Sequence, residues 1–354
     1  MDSKRVLITV PHLALPGGVT GLFNLLKLNK KKNIQYFSVN SSKNKWGVVF
    51  LPFVFFNFFL KLRKIQVVHI NPSLDAKSFY RDMVFTFMAK QLYKRKTIIY
   101  WHGWENEFYY KIKNSKILKF IFNNTFGVAD VQIVLANEFG ESLRNLGYKK
   151  EILLESNVTE RVDITSFQKI KTNKADFNLL FISRITKNKG WDIAIETMKI
   201  LNSTSYSNIK LTIAGDGDCL EAAQQLVAKN KIQNVKFTGY ITGKEKSNLL
   251  KEVDVLFFPT CFDEGMPLTI LEGVMYGMPI ITRNVGGIPD HLKNGVNGYL
   301  TDSINPEDFA NLILRIVEDP ETYNLFKTNN LQLASIEFIP ERLINRLLNL
   351  YNIT

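Results

Sequence analysis

What most limits the fold of this 354-residue chain is a repeated alternation of short, continuously apolar runs with longer amphipathic stretches. In the first half the runs are 5–10 (RVLITV), 34–39, 65–70, 97–101, 131–136 and 151–155, with helices expected over 78–93 and 138–146. After the polar, Lys-rich stretch 168–176 the pattern restarts at 177–183 (FNLLFIS), 209–215, 235–239, 253–259 and 278–282, with helices over 191–201, 219–229 and 268–276. A strand without polar alternation is covered on both faces, and such strands separated by helices indicate a parallel sheet. The prediction is α/β throughout: two Rossmann-like, doubly wound domains, 1–158 and 177–338, facing each other across a cleft. Residues 159–176 are the expected linker. The tail, 339–354, reads as an amphipathic helix able to pack back on the first domain.

Composition excludes several classes. An apolar content of 45% supports two cores and rules out wholesale disorder. Two cysteines, Cys219 and Cys261, make neither a disulfide framework nor a thiolate metal site, so a reducing cytosol is expected. The net charge of +12 is unevenly spread: residues 1–160 carry +13 and the remainder −1. That excess points the first half toward an anionic partner, nucleic acid or an anionic membrane surface.

Lys4 and Arg5 lead into a short strand that meets Pro11, which does not read as a secretory leader. The longest uncharged stretch, Trp46 to Leu60, is Phe-rich, broken by Pro52 and Asn57, and shorter than the roughly 18–20 residues that span a bilayer. Lys43, Lys45, Lys61, Arg63 and Lys64 flank it, which suits a segment lying in the headgroup interface; a buried core helix is the equal alternative.

Chemistry gathers in loops after strands. Following VDVLFFP, the sequence from Thr260 through Glu264, Gly265 and Pro267 to Glu272 opens a helix, with Pro267 expected at its first helical position. The N–H groups of Leu268 and Thr269 would then be free to bind an anion, with the Thr269 hydroxyl beside them. Glu264 and Glu272 flank that site and suit the hydroxyls of a phosphate ester, although either could be an ordinary cap or surface carboxylate. Arg184 and Lys189 lie in the loop after FNLLFIS, placed to neutralise a diphosphate, or simply solvated. Gly215-Asp216-Gly217-Asp218 makes a tight turn after another strand. In the first half, Gly17-Gly18 follows the first strand, and His102-Gly103 ends the strand TIIYW, followed by Trp104, Glu105 and Glu107.

Taken in order, these residues resemble the family-four retaining glycosyltransferases of GT-B fold. The match runs through Gly17-Gly18, His102-Gly103, Ala129-Asp130, Ser156-Asn157-Val158, Arg184 to Gly190, Gly215 to Gly217, Glu264 to Glu272, Tyr276-Gly277-Met278-Pro279, Gly286-Gly287-Ile288-Pro289 and Asn297-Gly298. Thr159 stands where that family has a linker Gly. The resemblance implies a nucleotide-sugar donor, UDP- or GDP-linked, held mainly by the second domain. It implies that Glu272 binds the ribose, Arg184 and Lys189 the diphosphate, and Glu264 the transferred sugar. Backbone at Gly18, Gly215, Gly217, Gly265, Leu268 and Thr269 assists, and His102 sits at the sugar or acceptor face, with Trp104 and Glu105 on the acceptor side. No metal or cofactor is expected, and Asp216-Gly217-Asp218 falls on the family's Gly-x-Gly loop rather than forming a metal-binding Asp-x-Asp.

The expected function is retaining transfer of a hexose-type sugar to a lipid-linked or growing glycan in polysaccharide assembly. The expected location is cytoplasmic, peripheral to the inner face of the plasma membrane and docked through residues 43–64. A basic nucleic-acid-binding protein is the alternative of another class, and the Phe residues are not interleaved with Lys as such a module requires. A phosphorylase or nucleotide-sugar epimerase on the same scaffold is the other enzymatic alternative.

Overall fold

The computed structural model describes residues 4–39, 51–162, 177–204, 206, 208–262 and 265–353. The chain divides into two compact units, residues 1–160 together with 340–354, and residues 161–339.

The first unit contains β1 (Val6–Val10), β2 (Ile34–Ser38), β3 (Val67–Ile70), β4 (Ser73–Leu74), β5 (Lys96–Tyr100), β6 (Gly103–Trp104), β7 (Val131–Val134) and β8 (Glu151–Leu154). Six of these form one sheet in the order β2-β1-β3-β5-β7-β8, with every pairing parallel; β4 and β6 pair separately, in parallel, beyond the ends of β3 and β5. The unbroken apolar runs are explained by two covered faces. Leu7, Val68, Ile70 and Ile99 point into one core with Phe58, Phe79, Phe85 and Phe122 from helices. Val6, Ile8, Val67, Ile98 and Tyr100 point into another with Phe23, Leu343, Leu347 and Tyr351. Successive strand residues alternate between cores, so both sides must be apolar.

The tail helix, Pro340–Tyr351, is therefore part of the first unit. Leu343, Leu347 and Tyr351, four residues apart, are fully buried there. Burying each leucine contributes about 1.5–3 kcal/mol. Buried Glu155 receives Arg342 at 3.0 Å and Arg346 at 2.6 Å, and Lys96 Nζ donates to the Leu350 carbonyl at 2.7 Å near the helix end.

The second unit contains β9 (Phe177–Ile182), β10 (Ile209–Ala214), β11 (Val235–Gly239), β12 (Val255–Phe258), β13 (Ile280–Arg283) and β14 (Gly298–Thr301) in a parallel sheet ordered β11-β10-β9-β12-β13-β14. Three strands, β14, β4 and β6, lie outside the expected apolar runs: β14 is only four residues and follows a glycine turn, and β4 and β6 have two each.

Strand order reverses between β1 and β3 in the first unit and between β9 and β12 in the second. At such a reversal the loops leaving adjacent strands diverge to opposite sides of the sheet and leave room for a ligand at the carboxyl ends.

The described part of the Phe-rich stretch is helix Leu51–Leu62. It is split between the two readings: Phe58 and Leu62 are buried, whereas Phe53 and Phe56 are exposed. Residues 46–50 and 163–176 lie outside the described residues. Among the described residues, no helix is long and apolar enough to cross a membrane.

Candidate functional site

In the second unit, the loops after β9, β10 and β12, three neighbours astride the reversal, are joined by backbone contacts. Ile185 N donates to Asp216 O, Cys219 N to Ile185 O, and Cys261 N to Asn188 O, at 2.8–2.9 Å. Two glycines are required for this closeness. At Gly190 (φ +82°) an added Cβ would lie 2.1 Å from the Pro259 carbonyl oxygen, and at Gly215 (φ +144°) 1.8 Å from that of Ser183. Gly217 N donates to Asp216 Oδ1 at 2.7 Å.

The charged residues are fixed to different degrees. Arg184 is exposed, whereas Lys189 is 8% exposed with its ammonium 4.1 Å from the centroid of the Phe262 ring. A cation held over an aromatic face loses little freedom when an anion arrives. The helix Leu268–Met275 begins one residue later than expected, and Pro267 is its N-cap with extended backbone (φ −63°, ψ 132°) rather than its first helical residue. The N–H groups of Leu268 and Thr269 still have no carbonyl one turn back within the helix. The Thr269 hydroxyl corrects the expectation further: it donates to Ile182 O at 2.9 Å, joining the helix to the end of β9, so its proton is not available to an anion.

Glu272 is paired. Lys246, on the helix Gly243–Glu252, sits 2.6 Å from each carboxylate oxygen. Lys246 was invisible to motif reading because it lies 26 residues from its partner on a helix after another strand. Glu264 lies outside the described residues, and Gly265 is half-buried at the start of the turn into the helix.

In the first unit, the ends of β1, β3 and β5 meet. Asn71, just after β3, donates from Nδ2 to Thr9 O at 2.7 Å, and its Oδ1 lies 2.8 Å from His102 Nε2. His102 N donates to Pro72 O at 3.0 Å, so the two segments run side by side. Burial pushes the His102 imidazole down to about 3. His69 is likewise pushed down to about 3, by burial first and by His102 second, and its Nδ1 is 2.5 Å from the Tyr351 hydroxyl. Both rings are therefore neutral near pH 7. Exposed Gly18 opens the helix Gly18–Leu26, and beyond its chain neighbours and its own helix backbone nothing lies within 4 Å of where its Cβ would be.

Trp104 is not available to an acceptor. It is 5% exposed, stacks on Phe139 at 4.6 Å with the rings 4° apart, and donates its indole N–H to Asn106, so it is a core residue. Glu105 is exposed and caps the helix Asn106–Asn114 without a side-chain hydrogen bond. Asn71 was the residue missed here; its available signal was a polar side chain immediately after a fully buried strand.

Residues 162–332 match the family model described as glycosyl transferases group 1. The crystal structure of Anabaena HepE in complex with UDP and glucose aligns over 98% of both chains with a TM-score of 0.70 at 16% identity. An uncharacterized 41.2 kDa protein in the cps region of Klebsiella pneumoniae is 25% identical over 82% of this chain and 80% of its own length. A putative colanic acid biosynthesis glycosyltransferase of Salmonella typhimurium is 23% identical over 53% of this chain and 48% of its own. Two parallel-sheet units of this kind are the GT-B fold. The second unit thus carries a glycosyl transferases group 1 domain.

Proposed function

We propose that the chain is a retaining, family-four-type glycosyltransferase that moves a hexose-type sugar from a UDP- or GDP-linked donor without a divalent metal. The acceptor is a lipid-linked or growing glycan in cell-surface polysaccharide assembly. The observation that carries the reading is the second unit's switch point. There Arg184, the ordered Lys189 and the open N–H groups of Leu268 and Thr269 supply positive potential where a diphosphate leaving group needs it. Glu272 takes the ribose hydroxyls, with Lys246 holding the carboxylate; Glu264 takes the transferred sugar; Gly18, Gly215, Gly217 and Gly265 offer close backbone approach. In the same-face displacement, the bond from C1 to the diphosphate breaks as the acceptor oxygen bonds to C1, and the acceptor proton passes to the departing phosphate. His102 faces the sugar or acceptor. The UDP and glucose of the Anabaena structure support the donor class, and the cps-region relative supports the setting.

Transfer measured with purified enzyme tests this. Lys189→Ala and Glu264→Gln should each lose at least about tenfold, corresponding to about 1.4 kcal/mol of transition-state stabilisation. Full turnover in both variants, abolition by EDTA, or donor turnover without acceptor would each overturn part of the reading. Stabilisation against heat by a panel of nucleotide sugars identifies the donor, since ligand at 100 times its Kd adds about 2.7 kcal/mol.

The anionic membrane face presents the acceptor. The helix Leu51–Leu62 exposes Phe53 (70%) and Phe56 (59%), and the helix Lys116–Asn124 exposes Ile117 (73%) and Phe120 (69%). Residues 3–74 contain 11 Lys and Arg and no carboxylate, and residues 108–129 contain four Lys and none. Apolar side chains projecting among uncompensated cations are what an interfacial lipid contact uses, with the enzyme on the cytoplasmic side.

A further inference from the structure

A neutral imidazole has one nitrogen that donates and one that accepts, and which is which decides what His102 can offer a substrate. The hydrogen bonds of Asn71 answer this. Its Nδ2 is 2.7 Å from the Thr9 carbonyl oxygen, which can only accept, so that end of the amide must be the NH2. The other end, Oδ1, can only accept, and it lies 2.8 Å from His102 Nε2. His102 Nε2 must then carry the proton, leaving the lone pair on Nδ1. Asn71 itself is 7% exposed and anchored a second time, its N–H donating to Thr9 Oγ1 at 3.2 Å. Tyr100 lies against the imidazole with centroids 4.1 Å apart, and Phe23 meets it edge-on at 6.3 Å, so the ring is restrained from both sides. The nearby His69 has its Nδ1 2.5 Å from the Tyr351 hydroxyl and its ring also beside the Asn71 side chain, whose amide oxygen has two lone pairs and can accept from both imidazoles.

We propose that Asn71 is a positioning residue that locks His102 in the Nε2–H form, so that Nδ1 accepts a hydrogen bond from a hydroxyl of the transferred sugar or the acceptor. The relay Thr9–Asn71–His102 joins the ends of three neighbouring strands, β1, β3 and β5, at the first unit's switch point, and its three members are uncharged. The functional half of the proposal rests on the reading of His102 as substrate-facing; the tautomer does not.

Long-range proton–nitrogen correlation spectra of the full chain labelled with 15N-histidine test the lock directly, with His102→Gln assigning the signals. The expected result is a protonated Nε2 and an unprotonated Nδ1 in the wild type, and loss of that single tautomer in Asn71→Ala. Transfer by Asn71→Ala should fall about tenfold in kcat with the donor KM changed less than about twofold, the size of one lost polar contact made in the transition state. Asn71→Asp, which keeps an acceptor beside Nε2, should retain the tautomer, raise the pH at which the ring titrates, and recover part of kcat. An Nδ1–H tautomer in the wild type, or an unchanged spectrum in Asn71→Ala, overturns the lock. The expected spectra with full transfer by His102→Gln would leave the lock standing and overturn the substrate-facing role of His102.

Discussion

The two units have the same parallel architecture and put their polar clusters at the same topological place, but the clusters are chemically opposite. At the second unit's reversal, between β9 and β12, stand Arg184, Lys189 and the Lys246–Glu272 pair. At the first unit's reversal, between β1 and β3, stand Gly18, Thr9, Asn71 and a neutral His102. Yet the first unit carries all of the chain's net positive charge, +14 for residues 1–160 with 340–354 against −2 for the second unit. Bulk charge and site charge are thus separated: the second, slightly negative unit puts cations at its reversal, and the first, strongly positive unit puts neutral donors and acceptors at its own.

This contrast can be broken at several points. The largest effect is expected from Gly190→Ala, where both the left-handed backbone and the Pro259 carbonyl 2.1 Å from the new Cβ oppose the methyl. It should destabilise the second unit by about 3 kcal/mol or more, read by denaturant unfolding. Gly18→Ala, which meets nothing, should be near neutral; equal losses would mean that the two glycine loops are built alike.

Acidification should single out the first unit. His69 and His102 are both depressed to about 3 in the folded chain, against about 6.5 unfolded. Below pH 6.5 the unfolded state takes up protons that the folded state refuses. The stability they contribute is therefore complete above pH 6.5 and declines as pH falls toward 3, by up to about 1.4 kcal/mol per pH unit for each histidine. Hydrogen exchange between pH 6.5 and 5 should show 67–70 and 98–101 losing protection relative to 179–182, and His69→Gln should flatten the dependence. Parallel behaviour of both units would remove the histidines as the cause.

The smallest effect is expected at the membrane. Flotation with vesicles containing anionic phospholipid should recover more protein than with neutral vesicles at low salt, and the difference should shrink as salt rises. Phe120→Ser with Ile117→Ser should reduce recovery without changing soluble turnover. Equal recovery on both lipids would remove the electrostatic part of the claim.

Much of the fold was legible because burial on both sheet faces leaves an uninterrupted apolar run: Val6–Val10 and Phe177–Ile182 fall within one residue of where the pattern puts them. The two-residue strands β4 and β6 have no periodicity to read, yet they place Asn71 and His102 side by side. Trp104 shows the opposite failure. It stands in a polar strand-end loop, which resembles a ligand contact, and only the packing of Phe139 reveals it as core.

By itself, the amino-acid order determined the two α/β units, the loops that carry polar chemistry and the charge asymmetry, since each is recorded in residues near one another in the chain. The tertiary structure alone decided which of those residues are occupied. It committed the Thr269 hydroxyl to Ile182, paired Glu272 with Lys246, set Glu155 under Arg342 and Arg346, and turned Asn71 toward His102. The partners in these contacts stand 26 to 191 residues apart. Hydrogen bonds and ion pairs at such separations depend on strand order and helix packing, which local periodicity does not encode.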